Sequence, residues 1–194
     1  MDIYKAVKLE RKSLKRFYKL MIILFIILPL SVYLTGVRKL FYLVYLLIIE
    51  LLIIAAVINK LNYYSLRYNC NTNKLHIKNG LFARDNLILC DKVVLVHTEK
   101  MESDMTIIII STVNFRNRSL RPIVKGFLKK YPKIEDELKK ISDGKDKVYY
   151  FQIIKKGGLS KYLLLDTIYK NCVKATYTDD CIQNIKIARG QTLV

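Results

Sequence analysis

Few side chains in this 194-residue chain stand at spacings that could do covalent chemistry. Cys70, His76, Cys90 and His97 fall in neighbouring strand-like stretches, where thiolate and imidazole could in principle meet on zinc. No Cys-x-x-Cys chelate is present and the intervals match no structural zinc pattern. Small buried thiols are ordinary core filling. Cys70, Cys90, Cys172 and Cys181 are therefore read as reduced thiols, with no metal, cofactor or disulfide frame. There is no Gly-x-Ser-x-Gly elbow, and neither histidine has an acid and a nucleophile at motif spacing. Gly157-Gly158 lacks both the P-loop and the dinucleotide spacing and reads as a break between elements. Asp179-Asp180 after Thr178 reads as the acidic first turn of a capped helix, not a calcium loop. The chain is expected not to be an enzyme.

Positive charge is the strongest polar signal. Lys and Arg number 34 against 16 acids, a formal charge of +18, yet 52% of residues are hydrophobic. A disordered basic tail would be poor in Leu and Ile, so that class is excluded. Between Met105 and Ile134 lie Arg116, Arg118, Arg121, Lys125, Lys129, Lys130 and Lys133 with no acid among them, interleaved with Phe115, Phe127 and Tyr131. Three roles are open to this cluster: contact with anionic lipid headgroups, nucleic-acid binding, or a solvated face. Lipid or anion contact is favoured over nucleic acid because the chain also carries its own membrane anchor.

That anchor is a pair of apolar runs. Leu20–Val37 is 18 residues without a charge, close to the shortest length that spans a hydrocarbon core, and Leu40–Ile58 is broken only by Glu50. A connection of little more than Gly36 to Lys39 allows only a tight antiparallel hairpin. A cleaved signal peptide is disfavoured, because a second run follows at once with no cleavage site between them. Residues 1–19 carry seven bases, which places both termini in the cytoplasm and the short loop outside. Tyr4, Val7, Leu14, Phe17 and Tyr18 interleave with those bases, as in a helix lying partly in the lipid interface.

Glu50 is the one acid of the bilayer run, and an intramembrane carboxylate suggests function by default. Ion handling usually needs more such groups than the first run offers. Glu50 is expected level with Pro29, which has no N–H and frees the carbonyl of Phe25. A protonated Glu50 would donate to that carbonyl, or pair with another copy in an oligomer.

Residues 61–194 are long enough for one compact core. Strands are expected at 65–70, 74–78, 86–97 and 105–115, forming an antiparallel meander, with Asn79-Gly80 as a turn. Leu81 and Phe82 after that turn are expected in the core. A helix over 123–141 should split at Pro132. A strand at 147–154 and helices at 159–172 and from Asp179 to a stop at Gly190 complete the chain.

The hairpin followed by Leu75, Ile77, Gly80, Leu81, Phe82 and Arg84, as "Leu-x-Ile-x-x-Gly-Leu-Phe-x-Arg", resembles the bacterial pleckstrin-homology-like membrane proteins (YdbS/YdbT type). The likeness covers roughly residues 15–115. It implies a membrane-associated binding or assembly role and supplies no catalytic residues.

The expected architecture is α+β. A basic segment (1–19) and a two-helix transmembrane hairpin (20–60) precede a β-rich, pleckstrin-homology-like cytoplasmic domain with C-terminal helices (61–194). The expected function is a membrane-anchored, non-enzymatic module contacting anionic lipid or a partner protein, in a multi-pass cell-membrane protein with two spans. The alternatives are a subunit of a transport or secretion-type assembly with Glu50 at a helix interface, and a membrane-tethered nucleic-acid binder. Expected partners are membrane lipids and a protein or second copy of the chain; nucleic acid is disfavoured.

Overall fold

A computed structural model describes residues 3–36, 40–101, 104–114, 119–141 and 148–191. The fold is α+β: two long apolar helices, then a β-sheet domain with further helices in its C-terminal half. Helix α1 (Ile3–Thr35) is unbroken for 33 residues, passing through Pro29, and α2 (Leu40–Tyr64) has 25. At 1.5 Å per residue α1 measures about 50 Å, against about 30 Å for a hydrocarbon core. Both helices are long and apolar enough to cross a membrane. Gly36, at φ +66, takes the left-handed conformation that ends α1.

The surplus length of α1 corrects one expectation. The segment was expected to lie partly in the lipid interface; Val7, one of the apolar residues of that expectation, is instead buried with Ile3 within the chain's own fold. The basic segment and the first apolar run form one rod whose leading turns pack on the β domain. The bases remain on its outer faces, with Lys5, Lys8, Arg11, Lys12, Lys15 and Arg16 exposed.

Strands β1 (Leu66–Asn71), β2 (Lys74–Asn79) and β3 (Asn86–Leu89) make an antiparallel sheet in sequence order. Thr72 and Asn73, both at positive φ, turn the first hairpin. The stretch 86–97, expected as one strand, is broken by a 3₁₀ turn at Cys90–Lys92. Its second half, β4 (Val93–Met101), leaves the first sheet for another. The meander is thus two sheets.

The second sheet runs β6 (Arg121–Pro122), β7 (Tyr150–Ile154), β5 (Asp104–Ser111), β4, β8 (Thr176–Tyr177). All pairs are antiparallel except β4 with β8. Central β5 is buried on both faces, which explains its unalternating run of isoleucines. Ile107 and Ile109 face a core shared with Leu75, Ile77 and Ile88 of the first sheet and with α5 (Ser160–Asn171) and α6 (Asp179–Ala188). Ile108 and Ile110 face the other side, packed by Phe127 of α3 (Lys125–Lys130) and by Ile134 and Leu138 of α4 (Pro132–Ile141). Pro132 opens α4, where its missing N–H costs nothing, so the expected split occurs there. At the far end of α6, Gln191 N donates to Lys186 O and Gly190 N to Ile187 O, with Gly190 at φ +70. That is a Schellman stop at the expected glycine.

Leu81 and Phe82 also depart from expectation. Phe82 is 81% exposed and Leu81 is exposed, because β2 ends and the chain swings out toward α2. Gly80 N donates to Ser65 O at 2.6 Å, and Asn62 Oδ1 lies 2.6 Å from where a Cβ on Gly80 would stand. Only glycine permits this approach, and at φ +120 only glycine adopts the backbone.

Candidate functional site

The most concentrated polar chemistry lies where α1 and α2 meet the domain. Lys161, in the first turn of α5, is 0% exposed. Its Nζ donates to Asp104 Oδ1 at 2.6 Å and to Lys155 O at 2.7 Å. Tyr63, near the end of α2, donates to the other oxygen of Asp104. From α1, Glu10 accepts the backbone N–H of Leu159 on both carboxylate oxygens at 3.2 Å. The chain closes on these groups through Gly157 and Gly158, both at positive φ. A Cβ on Gly158 would stand 2.6 Å from Glu10 Oε1 and 2.8 Å from the Tyr64 ring. The glycine pair is thus a break, as expected, and also the seat for both long helices. Burial pushes the Lys161 ammonium below its ordinary pKa, while Asp104 and then Glu10 pull it back up. An ion pair held this way clamps helix to domain, with the lysine enclosed and the carboxylate partly open.

A second feature is a cleft of about 520 Å³ between β4, α4 and α6. His97, 4% exposed, lies in its wall and shares a 3.0 Å hydrogen bond with Thr178 through Nδ1. Thr178 was expected to cap α6; its hydroxyl makes no cap and is turned to the histidine instead. Burial holds His97 below its ordinary pKa, opposed by Asp180 and Glu99. Thr98, the hydroxyl nearest His97 in sequence, accepts from Asn184 Nδ2 at 2.8 Å. The wall residues are largely polar, with no activated nucleophile among those described.

The predicted basic cluster is only partly one surface. Arg121, Lys125, Lys129 and Lys130 are exposed, and none of these four makes an ion pair with a described residue. Lys130 lies 5.5 Å above the Tyr131 ring. Lys133, by contrast, pairs with Asp180 at 2.5 Å, across from α6. Arg121 stands apart at the sheet edge, in a notch that also touches Asn79 and Ala83. Arg116 and Arg118 lie outside the described residues.

Glu50 is half-buried in α2 and makes no hydrogen bond or ion pair with a described residue. The bond expected to the carbonyl of Phe25 is not formed, although the two helices do run side by side. Lys60 Nζ sits 4.1 Å above the Phe17 ring, and Phe25 shares an apolar groove with Ile53 and Ile54. Carried on at equal rise, that register sets Pro29 level with Glu50.

The histidines do not join the cysteines, although Cys70, Cys90 and Cys172 lie together at the core. His76 pairs with Asp85 at 2.9 Å and His97 with Thr178, while Cys70 and Cys90 sulfurs lie 3.9 Å apart. Burial pushes the Cys70 thiol up to about 11 and that of Cys181 up to about 12, which suits inert core thiols. Glu10, Tyr63, Asp104 and Lys161 went unnoticed in the sequence. A lysine in an amphipathic helix and an acid among seven bases carry no local mark of burial. No family model, no curated protein and no solved structure matches this chain.

Proposed function

We propose that the chain is a membrane-anchored, non-enzymatic binding or assembly module whose domain is held at a set height and tilt over the cytoplasmic leaflet. The observation that supports this best is the rigid joint. α1 continues without interruption from its domain-packed turns into its apolar run, and Glu10, Tyr63, Asp104 and Lys161 tie both helices to the sheet. A flexible linker would let the domain search; this joint aims it. The exposed cations Arg121, Lys125, Lys129 and Lys130, which form no ion pair with a described residue, then offer a basic face to anionic headgroups or to an acidic partner. The pleckstrin-homology-like pattern at residues 75–84 agrees with a binding role.

The test uses the full chain in nanodiscs. Acetylation of Lys125, Lys129 and Lys130 should be slower in anionic than in neutral lipid, with Lys139 and Lys140, already paired to Glu135 and Glu137, as references. Equal rates in the two lipids would remove lipid contact and leave a protein partner as the ligand of this face. Protection by single-stranded DNA that vanishes with salt would instead favour nucleic acid.

A second reading, a subunit of a larger membrane assembly, draws on Glu50 having no partner among the described residues. In native membranes Glu50→Gln should then reduce crosslinking between chains. Unchanged crosslinking would discard that role.

A further inference from the structure

An exposed phenylalanine alone says little, since single apolar residues on a surface are common. Phe82 differs because its height relative to the anchor can be worked out. The apolar run of α2 ends at Ile58, and that of α1 begins at Leu20. Lys60 over Phe17 shows that these two ends are level. Asn62 stands four residues beyond Ile58, about 6 Å along the helix axis. The headgroup layer of one leaflet is about 5–7 Å thick. Asn62 Oδ1 accepts the backbone N–H of Leu81 at 3.1 Å, so the loop is fastened at the outer edge of the headgroup layer by a side chain of the anchor itself. Phe82, the next residue, reaches from there.

We propose that the loop Gly80–Asp85 is a membrane-inserting element, with Leu81 and Phe82 entering the headgroup–acyl boundary of the bilayer that holds α1 and α2. Its surroundings match that occupant. Arg84 and Arg67 are exposed on the loop and on β1, and Arg121 shares a notch with Ala83, so cations flank the apolar tip where lipid phosphates lie. The tight backbone at Gly80 has a purpose in this light, since it lets the loop lie against α2 and not project into water. The inference rests on the membrane placement proposed above but not on the basic face at 121–133.

The chain contains no tryptophan, so one substitution makes a unique fluorescent reporter. Three full-length variants would be placed in neutral phosphatidylcholine vesicles with spin labels at headgroup or deep acyl positions. Ile26→Trp reports the first apolar run and Phe82→Trp the loop. Val173→Trp is equally exposed at 81% but follows the far end of α5, whose first turn is the one at the joint. Phe82→Trp should be blue-shifted and quenched more by headgroup than by deep labels, Ile26→Trp more by deep labels, and Val173→Trp by neither. If Ile26→Trp is quenched while Phe82→Trp behaves like Val173→Trp, the loop proposal is overturned and the membrane reading stands. If Ile26→Trp escapes quenching, both are overturned. Shielding of Phe82→Trp from aqueous acrylamide without any lipid quenching would assign the loop to a protein partner and also overturn the proposal. Neutral lipid makes the outcome independent of the charge cluster.

Discussion

Neutralising Asp104 should damage this protein more than neutralising Lys161. The two form one ion pair, but Lys161 is fully enclosed whereas the Asp104 side chain keeps 29% of its surface. Asp104→Asn preserves shape and leaves a buried ammonium hydrogen-bonded only to neutral acceptors, Lys155 O and the new amide, with Glu10 the one remaining acid that acts on it. Stranding a buried charge costs about 3–5 kcal/mol. Lys161→Met removes the charge from the enclosed side. The carboxylate left behind retains the Tyr63 hydroxyl, the Met105 N–H and water, for a loss of about 1–2 kcal/mol. The double variant has no stranded charge and should match Lys161→Met. The buried thiols of Cys90, Cys172 and Cys181 are natural reporters of opening. In the full chain in nanodiscs, Asp104→Asn should label about two to three and a half powers of ten faster than wild type, at about 1.4 kcal/mol per tenfold.

The same pair sets a pH dependence. The folded protein holds the Lys161 proton less tightly than the unfolded chain does, since its pKa lies below the ordinary 10.5. The penalty is therefore full below the folded value and relieved as pH rises toward 10.5. Wild-type stability minus that of Lys161→Met should grow across that window. Equal damage from Asp104→Asn and Lys161→Met, or strictly additive losses in the double variant, would refute the clamp.

Four further substitutions probe this joint and other parts of the fold. Gly158→Ala forces a left-handed alanine against Glu10 and Tyr64 and should lose about 2 kcal/mol or more. Gly126→Ala, in a helix with open space around it, should be neutral or gain up to about 1 kcal/mol; thermal unfolding compares the two. Ile3→Ala should cost about 2 kcal/mol, near the low end for a buried isoleucine because a helix end can settle, and should speed amide exchange in the first two turns of α1. Unchanged exchange would mean those turns do not rest on the domain. For His97, a folded pKa below the ordinary 6.5 means that stability falls as pH drops from 6.5 toward the folded value. His97→Gln should flatten that acid limb in a pH series of melts, and an unaltered limb would exclude His97 as its source.

How much was legible in the residues themselves follows the range of the forces involved. The two apolar runs, the split at Pro132 and the stop at Gly190 each depend on side chains within a few positions. Periodicity, φ preference and a missing N–H reveal such features directly. The run Ile107–Ile110 likewise announces a strand. The residues do not say that its two faces would pack different layers, nor that Cys90–Lys92 would hand the chain from one sheet to the next.

The functional picture divides along the same line. By itself the sequence determines an α+β chain with two helices apolar enough for a bilayer, a strongly basic balance, and no familiar catalytic spacing. Only the tertiary structure decides that Glu10 meets Leu159 across 149 positions, that Lys161 is enclosed with Asp104, that Lys133 is spent on Asp180, and that Phe82 is exposed beside Asn62. Burial and pairing belong to groups brought together by the whole fold. A lysine that will be sealed in a core and one that will stay exposed are written with the same letter, and only packing gives them different dielectric surroundings.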